Sequence, residues 1–171
     1  SETGPNEWHS DIREETALMS QLVGRLVTLA RMDEENSQLE MQPFDLAEAV
    51  CDTASVFVAA AENSGKELAV QAPAHWDYTG NEAAIRQLVS ILLDNAVKYC
   101  DPGGNIQVQL CPGKHPILTV DNTCAGVGDL PLSRLFDRFY RADPARTYGS
   151  GFGIGLSIAK DLTELQGGSF Q

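Results

Sequence analysis

Gly149-Ser150-Gly151-Phe152-Gly153-Ile154-Gly155 alternates glycine with other residues and runs without a break into Leu156-Ser157-Ile158-Ala159-Lys160. Glycine at every second position removes the side chains that would hold a ligand away from the backbone. A helix that begins there turns unpaired amide N–H groups, and the positive end of its dipole, towards whatever lies in front of it. Such a segment suits an anion, above all a phosphate. Two common phosphate loops do not fit. A dinucleotide fingerprint wants glycines at the first, third and sixth positions, but the sixth is Ile154 counted from Gly149 and Leu156 counted from Gly151. A P-loop wants Lys-Ser or Lys-Thr directly after its last glycine, and Leu156 follows Gly155. A mere flexible linker is disfavoured by Leu156, Ala159, Leu162 and Leu165 at helical spacing, and by Gly167-Gly168 as a stop.

A second constellation lies upstream. Asn95, Lys98 and Tyr99 are three and four residues apart on a segment of helical period, and so share a face. An amide, a cation and a phenol together suit a magnesium ion, a phosphate and a nucleoside. Polar residues at this spacing are also the ordinary wet side of a helix. The glycine segment is what turns the reading towards a nucleotide.

These residues need a scaffold, and 171 residues supply one good-sized domain, or a domain plus an extra element. The net charge of −12 argues against nucleic acid as a partner, because that binding leans on cationic contacts to phosphate. It leaves room for ATP, which needs only a local positive patch. Cys51, Cys100, Cys111 and Cys124 form no Cys-x-x-Cys pair and sit in or beside apolar segments, which predicts buried free thiols in a reducing cytoplasm. His9, His75 and His115 show no metal-ligand spacing. No apolar run reaches transmembrane length, and the start carries no signal-peptide pattern.

Along the chain, Glu7 to Met32 reads as one long helix. Ile12, Met19 and Leu26 lie at heptad spacing, Trp8, Leu22 and Leu29 occupy a second heptad position interrupted by Glu15, and Val23 and Ala30 widen the stripe, as in a bundle helix. Asp33 to Gln38 is a polar break that marks a boundary. Asp45 and Glu48, with Phe44 before them, predict a capping box and staple opening a helix. Its stripe is Leu46, Val50, Ala54, Phe57, Val58 and Ala61, and it ends near Gly65. Leu68 to Ala72 is a short strand. Asn81 caps a further helix to about Cys100, with Ile85, Leu88, Val89, Leu92 and Ala96 inward. Ile106, Val108 and Leu110 alternate with polar residues as a half-buried strand, and Ile117 to Val120 is the next. Asp121 to Ser150 is a long irregular segment with one short helix near Leu132–Phe139, of a length typical of functional lids. The order helix, strand, helix, strand, strand, lid, helix predicts an α+β fold of two layers, helices on one face of a mixed sheet.

Four segments resemble the boxes of sensor histidine kinases, in the family's order. Leu92-Leu93-Asp94-Asn95-Ala96-Val97-Lys98-Tyr99 resembles the asparagine box, and Val120-Asp121-Asn122-Thr123-Cys124-Ala125-Gly126-Val127 the first glycine box. Leu135-Phe136-Asp137-Arg138-Phe139-Tyr140-Arg141-Ala142-Asp143 resembles the phenylalanine box, and the opening segment the second glycine box. The long first helix is similar to the second helix of the family's dimerisation hairpin. The resemblance covers nearly the whole chain.

The resemblance implies residues 1–36 as a partial dimerisation and phosphotransfer hairpin, and 43–171 as a Bergerat-type ATP-binding catalytic domain lacking its last strands, with Gly167-Gly168-Ser169-Phe170-Gln171 as the start of a strand that the family continues into another. It implies ATP and Mg²⁺ as cofactors, with Asn95 on the metal and Lys98 and Arg141 on phosphate oxygens. Tyr99, Gly126 and Leu156 would line the nucleotide, and Gly151, Gly153 and Gly155 would bring backbone amides to the phosphates. Phe136 and Phe139 would anchor a lid. The implied partners are a response-regulator receiver domain and, through the first helix, a second copy of the chain. The implied location is the cytoplasmic portion of a membrane-anchored protein.

Three departures stand out. Asn122 occupies the place where the family usually reads adenine with an aspartate, with Asp121 as the alternative reader, and Cys124 stands where glycine is common. A neutral acceptor contributes about 0.5–1.5 kcal/mol against about 1.5–3 for a charged one, so weaker adenine affinity is expected. Ser90 stands where a further asparagine is frequent. No phosphoacceptor motif of histidine, acid, Arg and Pro is present; His9 is followed by Ser10-Asp11-Ile12-Arg13. The chain is therefore expected to be a fragment that binds nucleotide without labelling itself. The competing readings are a non-catalytic nucleotide-binding scaffold on the same fold, and a kinase of protein serine.

Overall fold

A computed structural model of the chain describes residues 40–125, 134–137 and 154–171. The expected first helix, the boundary expected after it and the N-terminal part of the glycine segment lie outside the described residues. The elements, in chain order, are β1 (Gln42–Asp45), α1 (Leu46–Asn63), β2 (Glu67–Gln71), β3 (Asp77–Gly80), α2 (Glu82–Tyr99), β4 (Asn105–Cys111), β5 (Ile117–Asn122) and α3 (Gly155–Leu165).

The caps are where the sequence puts them. Asp45 precedes α1, and its carboxylate accepts the amides of Ala47 at 2.9 Å and Glu48 at 3.3 Å. Phe44 stacks edge-on against Tyr78, with ring centroids 5.7 Å apart. Asn81 caps α2 by accepting the Ala84 amide at 2.8 Å, a contact worth about 0.5–2 kcal/mol. Gly65 and Gly167, at φ of 67° and 77°, close α1 and α3 in the left-handed region that glycine adopts without strain. Each closure carries the paired Schellman bonds. Lys66 donates to the Ala61 carbonyl and Gly65 to Glu62 after α1; Gly168 donates to Thr163 and Gly167 to Glu164 after α3.

β2 pairs parallel with β4, and β4 antiparallel with β5, so the three-stranded sheet is mixed. β1 and β3 form a separate antiparallel pair that the sequence reading did not foresee. Each is only four residues long, too short for an alternation to register against turn residues such as Pro43 and Gly80.

Even-numbered residues of β4 and β5 face the helices. Ile106, Val108 and Leu110 are buried, with Leu118 and Val120 packed beside them, against Leu46, Val50 and Ala54 of α1 and Ile85, Val89, Leu93 and Ala96 of α2. The opposite face is polar, and Gln109 bonds Gln71 across it at 3.2 Å. A second cluster joins Ala84, Leu88 and Ile91 of α2 to Ile154, Ile158, Ala159 and Leu162 of α3. α2 is thus the shared wall of both cores. Arg86 adds a polar tie, bonding Glu82 at 2.8 Å along α2 while its guanidinium reaches the Ala49 carbonyl of α1 at 3.4 Å.

Three expectations need correction. The buried stripe of α3 runs Ile154, Ile158, Ala159 and Leu162; Leu156 is half-buried and Leu165 is exposed. That face packs on Ala84, Leu88 and Ile91 of α2. Ser169-Phe170-Gln171 forms no strand, since Phe170 turns its ring onto the second cluster. The short helix expected near Leu132–Phe139 lies partly outside the described residues; its described part, 134–137, is a turn closed by the Asp137 amide on the Arg134 carbonyl at 3.0 Å. Of the four thiols only Cys100 is buried; Cys51 and Cys111 are exposed and Cys124 is intermediate. No helix among the described residues is long and apolar enough to cross a membrane.

Candidate functional site

α2 and α3 run antiparallel. The Gln166 side chain, just past the end of α3, bonds the backbone of Asn81, just before the start of α2, at both its amide and its carbonyl. At about 1.5 Å rise per residue in each helix, Ile154 therefore lies roughly level with Leu93. The start of α3 opens towards the last turns of α2, where Asn95, Lys98 and Tyr99 stand.

The α2 row that contacts α3 changes character at that level. Ala84, Leu88 and Ile91 are buried against α3, and the next members of the row, at steps of four and three, are Asn95 and Lys98. Both are half-buried, and Tyr99 is 38% exposed. The Asn95 side chain makes no protein hydrogen bond among the described residues. Lys98 supplies a positive charge in the last turn of α2, where it also complements the helix dipole.

Among the described residues, the start of α3 has no side-chain cap. Ile154 occupies the cap position and makes no side-chain cap hydrogen bond, and among the described residues the first turn carries no acidic residue. A helix end left in this state offers its amides and partial positive charge to an anion. Gly155 begins the helix and Leu156 follows, half-buried. Gly151 and Gly153 lie outside the described residues, as do Gly126, Phe139 and Arg141.

Asn122 closes β5 on the same side. Leu118 and Val120 pack into the first core, and the two-residue period of a strand puts Asn122 on that face. Asp121 points the other way and is exposed. The geometry thus favours Asn122 over Asp121 as the inward group at the end of β5. Phe136 is not brought to this face by its described ring contact. It meets Phe170 edge-on, with centroids 5.4 Å apart, beside the second cluster.

Two groupings escaped the sequence reading. His75 bonds Asp45 through Nδ1 and Asp77 through Nε2 at 3.1 Å. Asp45 also accepts the Trp76 amide at 3.0 Å, and this bond, aided by His75 and the Glu48 amide, holds its pKa at about 2. The hydrogen bond to Asp45, followed by the charges of Asp45 and Asp77, raises the pKa of His75. The other grouping is the α2–β4 turn, where Asp101 contacts Thr123 and Ala125. No local motif signals either, because each joins residues far apart in the chain.

Separately, an open cleft of about 1140 Å³ runs between β5, the β4–β5 turn and the chain after α3; Asn95, Lys98 and Tyr99 do not line it.

The chain matches, over residues 80–171, the family described as histidine kinase-, DNA gyrase B- and HSP90-like ATPases. It is 34% identical over 158 residues to the sensor histidine kinase CusS of Escherichia coli strain K12, a stretch that is 91% of this chain and 33% of CusS. It is 30% identical over 164 residues to the sensor protein DltS of Streptococcus agalactiae serotype III, covering 95% of this chain and 42% of DltS. The chain therefore spans less than half the length of either relative. Among solved structures, the mycobacterial sensor histidine kinase MprB is 26% identical with a TM-score of 0.58, over 74% of this chain and 80% of that one. Full-length ShkA in complex with AMPPNP gives a TM-score of 0.77 at 23% identity, over 95% of this chain and 34% of that one, a likeness of fold. The matched region holds α2, β4, β5 and α3, which is the whole wall just described, and the chain belongs to the histidine kinase-, DNA gyrase B- and HSP90-like ATPase family.

Proposed function

We propose that this chain is the ATP-binding kinase core of a sensor histidine kinase, with its nucleotide held between the last turns of α2, the end of β5 and the start of α3. The observation that carries this reading is the change along one row of α2. Its apolar residues end at Ile91, and Asn95 and Lys98 take over where the uncapped start of α3 arrives. A polyanion fits there, with one wall of fixed amides and a lysine opposite.

Asn95 suits a magnesium ion because its amide oxygen is a hard donor and is not committed to another protein group among the described residues. Bound magnesium would neutralise phosphate charge as it develops. Lys98 contributes a second positive charge, and the α3 amides hold phosphate oxygens without reorganising. Tyr99 offers a half-open aromatic face for the nucleoside, and Asn122 accepts from the adenine amino group. Gly126, Arg141, Gly151 and Gly153 are assigned to the same site by their place in the family's boxes, and Phe136 and Phe139 to anchoring the lid.

In the intact protein the γ-phosphoryl passes to a histidine on the preceding hairpin, and from there to an aspartate of a response regulator. Residues 1–36 supply part of that hairpin and of a homodimer interface, in a cytoplasmic portion of a membrane-anchored protein. Calorimetry with Mg-ADP tests the site: the chain binds, and Asn95→Ala and Lys98→Met each weaken binding at least tenfold. Unchanged affinity in both variants would remove the assignment. Incubation with γ-labelled ATP leaves this chain unlabelled; phosphate on His9 would overturn that part.

A further inference from the structure

The turn after α2 does more than reverse the chain. The Asp101 amide donates to the Thr123 carbonyl at 2.9 Å. Its carboxylate, through Oδ2, accepts the Ala125 amide at 2.7 Å. Its own carbonyl accepts the Gly104 amide at 2.9 Å. One residue, two positions past the end of α2, therefore grips the segment that leaves β5 at two points.

The surrounding contacts make this grip rigid. Thr123 donates its amide to the Asn105 carbonyl at 3.0 Å, and its hydroxyl accepts the Asn105 amide at 3.1 Å. The Cys100 amide returns to Ala96 at 2.9 Å, which ties the turn to the last turn of α2. A Cβ on Gly104 would come 2.8 Å from Cys100 Sγ, 2.9 Å from the Asp101 carbonyl and 3.0 Å from Thr123 Cβ, so the strands of this knot are packed too closely for a side chain there. Asn122 enters the gripped segment, and Gly126 is the next residue after it.

We propose that Asp101 is a positioning residue for nucleotide binding, fixing Asn122 and the segment to Ala125 in register with Asn95, Lys98 and Tyr99. It acts through Thr123 and Ala125 and touches no nucleotide. The inference rests on the nucleotide reading of that face. A carboxylate accepting an amide makes a charge-assisted bond, shorter and stronger than a neutral one. An asparagine can keep the same geometry with a neutral oxygen, whereas alanine cannot.

The test uses the chain with Asp101→Ala and Asp101→Asn, Mg-ADP calorimetry, and amide exchange with chemical shifts at Ala125 and Asn122. Asp101→Ala is expected to bind Mg-ADP about five- to tenfold more weakly, with Asp101→Asn within about threefold of the parent. In Asp101→Ala the Ala125 amide exchanges faster and the Asn122 side-chain signals shift; in Asp101→Asn both stay near the parent. Ala125→Pro deletes the donor at an exposed position and reproduces the loss should Asp101→Ala fold poorly. A parent chain that takes up no Mg-ADP would sink the nucleotide reading. A parent that binds, with both Asp101→Ala and Ala125→Pro binding equally well, would sink the role of Asp101 alone.

Discussion

Gln166 and Asn81, at the far ends of two antiparallel helices, are joined by a pair of hydrogen bonds: the Gln166 carbonyl oxygen accepts the Asn81 amide at 3.2 Å, and its amide donates to the Asn81 carbonyl at 3.3 Å. This clasp sets how far α3 slides along α2, and so where the start of α3 stands against Asn95 and Lys98. A side chain at Gly80 would come 2.8 Å from the Gln166 amide oxygen, so the residue before Asn81 is bare where the clasp closes.

Gln166→Ala is therefore expected to cost about 1–3 kcal/mol, the sum of two neutral bonds at a half-buried site. Urea unfolding reads this as a lower midpoint at unchanged slope. A midpoint equal to that of the parent would mean that the apolar contacts of α3 fix its position alone.

The parity of β5 gives a sharper test of the adenine reader. Asn122 shares the face of Leu118 and Val120, and Asp121 does not. Asn122→Asp restores a charged acceptor and is expected to raise adenine-nucleotide affinity by about 1 kcal/mol, roughly five- to tenfold, while Asp121→Asn changes it little. Titrations with Mg-ADP and with the inosine analogue decide between them. A large effect of Asp121→Asn, with none from Asn122→Asp, would exchange the two roles.

The contrast between these residues shows what the sequence could reveal. Caps, glycine stops and the inward stripes of α1 and α2 were legible because each is written in residues a few positions apart. So was the row of Asn95 and Lys98. The face of Asn122 needed the register of β5 against β4, Ile106 opposite Asn122, which no local pattern states. The clasp of Gln166 on Asn81 and the grip of Asp101 on Ala125 span 85 and 24 residues. Single polar residues in turns look alike until the fold has brought their partners near. The rotation of α3 was misread for a related reason. Leu156 and Leu165 are as apolar as Ile154 and Ile158, and only the groove of α2 decides which pair is buried.

The His75 cluster predicts a stability that depends on pH. The pKa of Asp45 falls from an ordinary 3.8 to about 2, through the Trp76 amide first and His75 after it. Its contribution is present above about 4 and fades as pH drops towards 2. The pKa of His75 is raised above 6.5 by Asp45 and, less strongly, Asp77. That contribution is complete below 6.5 and fades as pH rises through the folded value. The difference in unfolding free energy between the parent and His75→Ala is thus expected to be largest near pH 5–6 and to shrink by pH 9. Denaturant series across that range measure it, and a constant difference from pH 5 to 9 would contradict the pairing.

The two core clusters predict two grades of stability. Leu93 is fully buried between α1, α2 and the sheet, and Leu93→Ala is expected to cost about 2–5 kcal/mol everywhere at once. Ile158 is equally buried, but among the described residues its cluster joins α3 and Phe170 to α2 and not to the sheet. Ile158→Ala removes a comparable volume, so its cost should appear first as local opening of α3 while the sheet, α1 and α2 stay folded. Because the start of α3 forms one wall of the proposed site, nucleotide affinity should fall with that opening, well below the denaturant concentration that unfolds the rest. Native-state hydrogen exchange separates the cases: in Ile158→Ala the α3 amides exchange through a smaller free energy than those of α2. Equal exchange free energies in both helices would show a single cooperative core and would leave α3 as rigid as the sheet.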